Sequence, residues 1–166
     1  MADELITHPR GPHSLGGVLI NGVLIASLLS AAVAQVLKVF THRWRHGRWS
    51  LGRMLTSGGM PSSHTALVGG LVAAVGVQEG SGSVAFAVAT VLWLLVMYDA
   101  SGVRLAAGRH ASVLNTIISE LPPEHPVQDG QRLKDSLGHT PLQVLVGAIV
   151  GLLVGYFFQQ RWVVGR

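Results

Sequence analysis

Two histidines, each standing just before an apolar run, are the side chains best suited to chemistry in this sequence. His64 follows "PSS", and His139 stands directly before "TPLQ", residues 140–143. A histidine near neutral pH can serve as a nucleophile, an acid or a base, because its ordinary pKa is about 6.5. Ser62 or Ser63 can cap a helix, and "TPLQ" is a capping box with proline at the first helical position. The spacing therefore predicts each histidine at the N-terminus of a helix.

Two such helix N-termini on one side of the protein would suit a phosphate group. A helix N-terminus has N–H donors without helical partners and a partial positive charge, and both favour an anion. Several basic residues are predicted on that same side, among them Lys38, Arg45, Arg104, Arg132 and Lys134. The pattern indicates a phosphate pocket around the two histidines. The simpler interpretation is that the serines only cap, the basic residues only orient the protein, and Gln143 only completes its capping box.

Composition places this pocket in a membrane protein. The 166 residues are 49% hydrophobic and 12% charged, whereas about a quarter of the residues in a soluble domain are charged. The chain has no cysteine, which excludes disulfides, thiol nucleophiles and cysteine-based zinc sites. The other histidines lack the spacing of a metal site, so we expect neither a metal nor a cofactor. The excess of basic residues favours membrane lipids, and not nucleic acid, as partners.

Four apolar stretches predict the membrane helices. The first is long enough for a span of about 20 residues, while the second and third are shorter. The short pair is either a buried helical hairpin or, as we interpret it, two spans extended by their polar ends. The four stretches are residues 17–37, 64–77, 84–98 and 141–158.

Two further helices are predicted between the third and fourth stretches. Residues 99–121 have apolar positions at helical spacing, which is typical of an amphipathic helix lying along the membrane interface. The segment "QRLKDSL" predicts a short helix that ends at Gly138. The predicted fold is an all-α integral membrane protein, a bundle of about four transmembrane helices plus an interfacial amphipathic helix. Residues 17–158 would form the membrane domain, with residues 1–16 and 159–166 as tails.

Charge and glycine patterns predict how the helices are arranged. Of the twelve basic residues, nine fall in the segments 38–63 and 99–140. The positive-inside rule places both segments on the cytoplasmic side, or its organelle equivalent, and the termini opposite. Gly147, Gly151 and Gly155 lie four residues apart, a spacing that lets helices approach closely. They serve either packing within the chain beneath the pocket or a homodimer.

Three long motifs resemble one known family. "SGGMPSSHTA", "VMYDASGVRLAAG" and "LKDSLGHTPLQVLVGAIVG" are together similar to the divergent branch of the type 2 phosphatidic acid phosphatase superfamily. Members of that branch are often labelled acid phosphatase/vanadium-dependent haloperoxidase-related proteins. The similarity runs from about Gly17 to Phe158, nearly the whole chain.

The resemblance implies roles for the residues that match the superfamily motifs. Lys38 and Arg45 keep the spacing of KxxxxxxRP, with a histidine in place of the proline. "PSSH" keeps Ser62 and His64 of PSGH, where the histidine protonates the leaving alcohol, and Ser63 replaces the glycine. In that comparison Lys38, Arg45 and the serines contact phosphate.

The third motif, SRxxxxxHxxxD, matches only in part. His139 stands at the nucleophile, and Gln143 stands where an aspartate orients it. The arginine position is occupied by Leu133, so Arg132, Lys134 or Arg104 would bind phosphate instead. The resemblance implies a membrane phosphatase-like protein that binds, and hydrolyses through a histidine nucleophile, a lipid or isoprenoid monophosphate or diphosphate. The alternative is a catalytically degenerate scaffold or regulator that retains the fold, which the loss of the aspartate and of the glycine favours.

Overall fold

The described part of the chain is entirely helical in its regular structure. The computed structural model describes residues 20–50, 52, 54, 58–122, 124–128, 130, 132–135 and 137–165, so the predicted tail 1–16 lies outside it. Its helices are α1 (Gly22–His46), α2 (Ser63–Glu79), α3 (Val84–Ser101), α4 (Val103–Ser119) and α5 (Pro141–Val164). No strand occurs among these residues, which confirms the predicted all-α class.

Three helical stretches among the described residues are long and apolar enough to cross a membrane. They are Gly22–His46, Val84–Ser119, in which α3 and α4 follow each other closely, and Pro141–Val164. Helix α2 has 17 residues, at the lower end of the length that a span needs. More than half of its residues are buried, because α1, α3 and α5 all pack against it. The chain is an integral membrane protein with α2 at the centre of its bundle.

Glycines set the direction of α5 relative to α2. A methyl group at Gly147, Gly151 or Gly155 would overlap backbone atoms of Ser62, Ala66 and Gly70, respectively. The residue numbers rise together on the two helices, so α2 and α5 run parallel and begin at the same end of the bundle. The glycines are therefore used for packing within the chain, while their use in a homodimer stays a prediction.

Polar contacts show that α1 and α3 run antiparallel to α2. The Lys38 ammonium donates to the Ser63 hydroxyl over 3.2 Å, at the start of α2, and the Ser27 hydroxyl donates to the Leu67 carbonyl over 2.7 Å, further along α2. The Trp93 indole donates to the Thr65 carbonyl over 3.1 Å, and Phe86 packs against Gly76 further along α2. The end of α1, the start of α2, the end of α3 and the start of α5 thus meet at one end of the bundle.

Helices α1 and α5 extend well beyond the apolar stretches that predicted them. Helix α1 continues beyond residue 37 and ends at His46, because the next residue, Gly47, has a left-handed φ of 71°. Helix α5 likewise continues past Phe158 to Val164. Both extensions carry polar residues beyond the apolar run, which is why hydropathy alone ended the spans too early.

The region between α3 and α5 also differs. The amphipathic helix begins at Val103 and not at residue 99, because the chain bends at Gly102, where a Cβ atom would lie 2.7 Å from the Tyr98 carbonyl oxygen. The short helix predicted over 131–137 is wrong, since residues 132–135 are not helical. The Asn115 side chain bonds both the N–H and the carbonyl of Leu133, at 2.9 Å each, so these backbone groups pair with α4 instead of forming a helix.

Candidate functional site

The two predicted histidines lie together at the shared end of α2 and α5. Their ring centroids are 6.3 Å apart and the ring planes make an angle of 70°. His64 is in the first turn of α2 and is exposed, whereas His139 precedes the α5 cap and is only 3% exposed. The backbone N–H of His139 donates to the Ala100 carbonyl over 2.9 Å, which fixes it to the last turn of α3. One small ligand can therefore contact both imidazoles.

Backbone contacts join the two helix N-termini. The Ser62 N–H donates to the Gln143 carbonyl over 3.0 Å. The Ser62 hydroxyl caps α2 by accepting from the Thr65 N–H at 3.4 Å, and it is fully buried. Ser62 therefore links the two helices through its N–H and caps α2 through its hydroxyl. Ser63 is also buried, and its hydroxyl accepts the hydrogen bond from Lys38.

A small cavity of about 120 Å³ lies beside the histidine rings. His64, His139 and Arg104 line it together with Asp99. The remaining lining is apolar, from Leu67, Val68, Val96 and Ala100. We call this the histidine cavity. Its polar end could hold an oxyanion and its apolar side could contact a hydrocarbon chain.

A second cavity has a volume of about 290 Å³. Its lining includes Lys38, Arg45 and Gln143, together with His42, His46 and the loop Gly58–Met60. We call it the basic cavity, since none of its described lining residues is acidic. Arg45 lines the basic cavity and not the histidine cavity. Besides burial, the positive charge of Lys38 is close enough to lower the pKa of both catalytic candidates, His64 and His139.

Gln143 does not take the place of the motif aspartate beside His139. Its side-chain oxygen accepts from the Thr140 N–H at 3.0 Å, and the Thr140 hydroxyl accepts from the Gln143 N–H at 3.4 Å. This is the complete capping box that the sequence predicted. Neither ring nitrogen of His139 has a hydrogen-bond partner among the described residues. The capping contacts that the simpler interpretation of Gln143 requires are therefore present, and Gln143 also lines the basic cavity.

Two further predicted phosphate ligands, Arg132 and Lys134, also lie outside the histidine cavity. The Arg132 guanidinium pairs with Asp135 at 3.1 Å and lines an open cavity beside α4. Lys134 is exposed and lines neither the histidine cavity nor the basic cavity. Of the three candidates for the missing arginine, the structure brings only Arg104 to the histidines.

Burial keeps His139 neutral at physiological pH. Burial, together with the smaller effects of the positive charges of Lys38, His64 and Arg104, lowers the pKa of His139 to about 4. A neutral imidazole retains a lone pair on one ring nitrogen, and this is the form that a nucleophile requires.

Asp99 is the site residue that motif matching did not select. It stands five residues before Arg104 in "DASGVR", and its carboxylate forms an ion pair with the Arg104 guanidinium. The signal available in the sequence was a carboxylate and an arginine on either side of a glycine. The sequence does not reveal the bend at Gly102 that brings these two side chains into contact.

Comparison with known proteins agrees with this architecture. The family model described as "Divergent PAP2 family" matches residues 19–154. A Bacillus subtilis (strain 168) protein named "Uncharacterized membrane protein YuiD" is 35% identical over an alignment of 157 residues, and the match covers 85% of this chain and 98% of that protein. No solved structure matches the chain.

Proposed function

The chain belongs to the divergent PAP2 family, and on that premise we propose that it binds a lipid or isoprenoid phosphate or diphosphate at the membrane face and hydrolyses it through His139. The observation that carries the proposal is the pairing of His64 and His139, with ring centroids 6.3 Å apart. Lys38 and Arg104 supply positive charge beside that pair. The apolar side of the histidine cavity suits a lipid chain.

The proposed reaction has two steps. A ring nitrogen of neutral His139 attacks phosphorus, so that an N–P bond forms while the P–O bond to the alcohol breaks. His64 gives a proton to the departing alcohol oxygen. His64 then takes a proton from water, whose oxygen attacks phosphorus and releases phosphate from His139. Lys38 and Arg104 balance the charge on the phosphoryl oxygens during both steps.

One specific observation favours the alternative of a phosphate-binding scaffold or regulator without turnover. His139 has no carboxylate partner among the described residues, and Gln143 is held in its capping box. In the serine-protease template, replacing the carboxylate partner of a catalytic histidine costs about 10⁴ in rate. The same pocket would then bind phosphate and release product slowly or not at all.

Phosphate release from a panel of lipid phosphates distinguishes the two functions. The purified protein in detergent is supplied with lipid phosphomonoesters, lipid diphosphates and isoprenoid phosphates, and free phosphate is measured. Loss of the nucleophile in His139→Ala should lower the rate by about 10³-fold or more. The matched control is His110→Ala, since His110 is exposed on α4 and lines neither the histidine cavity nor the basic cavity. Release that His139→Ala leaves unchanged, or no release from any substrate, contradicts the enzymatic function.

A further inference from the structure

The ion pair between Asp99 and Arg104 exists because the chain bends between α3 and α4. Residues five positions apart in a continuous α-helix point about 140° away from each other around the helix axis. Gly102 ends α3, and α4 begins again at Val103. The bend brings the Arg104 Nε atom to the Asp99 carboxylate, to which it donates a hydrogen bond.

The turn that carries Asp99 also fixes the proposed nucleophile. The neighbouring Ala100 carbonyl accepts the hydrogen bond from the His139 N–H at 2.9 Å. Asp99, Arg104 and His139 all line the histidine cavity, in which Asp99 is the one carboxylate among the described lining residues. The last turn of α3 therefore fixes both His139 and the Arg104 guanidinium beside the histidine cavity.

Asp99 binds Arg104 at its Nε atom, which leaves the two Nη nitrogens available to a ligand. A guanidinium has five N–H donors, one on Nε and two on each Nη. Asp99 takes the Nε donor. Within the part of the chain that the structure describes, no residue accepts a hydrogen bond from the Nη nitrogens of Arg104. Paired Nη donors match two oxygens of a phosphate group.

We propose that Asp99 is a positioning residue that holds Arg104 by Nε and directs its Nη donors at a phosphate group in the histidine cavity. This inference rests on the proposed function, because it requires phosphate to bind beside His64 and His139. Asp99 has two opposing effects on that anion. Its oxygen orients Arg104, which strengthens binding, and its negative charge repels the phosphate, which weakens binding.

Two substitutions separate these effects. Asp99→Asn removes the charge but keeps a side-chain oxygen that can accept from Nε, whereas Asp99→Ala removes both. Their comparison therefore measures the orienting contact alone. The Arg104 and Asp99 side chains are 54% and 42% exposed, so solvent screens their ion pair. We therefore expect the contact to change the Kd for phosphate by at most about fivefold.

The test is calorimetric titration of inorganic phosphate into the full chain in detergent micelles, repeated with a short-chain phosphatidic acid to distinguish free phosphate from a lipid headgroup as the ligand. Asp99→Ala should bind more weakly than Asp99→Asn, by up to about fivefold. In an Arg104→Gln background the difference between the two variants should disappear, because the group that Asp99 positions is gone. Thermal melting of each variant confirms that it is folded.

The outcomes separate this inference from the function on which it rests. If the wild type binds phosphate and Arg104→Gln weakens binding, equal affinities for the two Asp99 variants overturn the inference alone. A difference that persists without Arg104 also overturns it, since Asp99 would then act by another route. If the wild type binds neither ligand, the proposed function fails and the positioning role fails with it.

Discussion

Gly151 of α5 lies so close to the backbone of Ala66 of α2 that no side chain fits between them. The same relationship joins Gly147 to Ser62 one turn earlier. Close packing of small residues is the usual way in which membrane helices associate. Here it brings two parallel helix N-termini, and with them His64 and His139, to one end of the bundle.

Enlarging Gly151 should therefore destabilise the protein. In Gly151→Ala the added methyl group gains about 1 kcal/mol of helix propensity but overlaps backbone atoms, an overpacking that costs about 3 kcal/mol. We expect a net loss of about 2 kcal/mol, seen as a lower Tm in detergent. Gly82→Ala is the matched control, because a Cβ atom there meets nothing within 4 Å. Equal Tm values for the two variants would contradict the packing described.

Stability should fall in acid because His139 is buried in its neutral form. Its pKa is about 4 in the folded protein and about 6.5 in an unfolded chain. Between these pH values the unfolded chain binds more protons, so unfolding becomes easier as the pH falls from 6.5 towards 4, by about 3 kcal/mol in total. Melting curves across this range should show a smaller pH dependence for His139→Gln than for the wild type or His110→Gln. An unchanged dependence in His139→Gln would assign the effect to other groups.

Arg104, and not the two basic residues nearest to the motif position, should govern phosphate affinity. Removing a charge-assisted hydrogen bond in Arg104→Gln should raise the Kd for inorganic phosphate roughly tenfold or more. Arg132→Gln should change it by less than about twofold, since Arg132 pairs with Asp135 at a different cavity. Calorimetric titration measures both. A larger effect from Arg132 would show that the site lies elsewhere.

The histidine end of the bundle should face the cytoplasm or its organelle equivalent, because most basic residues lie in the segments at that end. The chain has no cysteine, so single substitutions can be labelled cleanly. Trp49→Cys, just after α1, should react with an impermeant thiol reagent only after the membrane is opened. Ser81→Cys, in the turn between α2 and α3, should react in intact cells. The reverse pattern would invert the topology.

Local signals in the sequence predicted that α2 and α5 begin at the same end of the bundle. Ser62 caps one helix and the Thr140–Gln143 capping box starts the other, and both depend only on neighbouring residues. The charge pattern then placed both starts on one side. These features are short-range, which is why His64 and His139 could be paired before the fold was known.

Tertiary contacts decided what the sequence could not. Motif spacing places Gln143 beside His139, yet its own backbone cap holds the Gln143 side chain. Motif spacing left Arg132, Lys134 and Arg104 as alternatives, and only the structure shows that Asn115 holds the Leu133 backbone beside α4. The pairing of Asp99 with Arg104 depends on a bend at Gly102 that no periodicity encodes.

An experimental structure with orthovanadate, a phosphate mimic, tests the proposed site most directly. We expect vanadium bonded to a ring nitrogen of His139, with a vanadate oxygen within hydrogen-bond distance of His64 and another facing the Arg104 guanidinium. Vanadate held only in the basic cavity beside Arg45, without contact to either His64 or His139, would contradict the account.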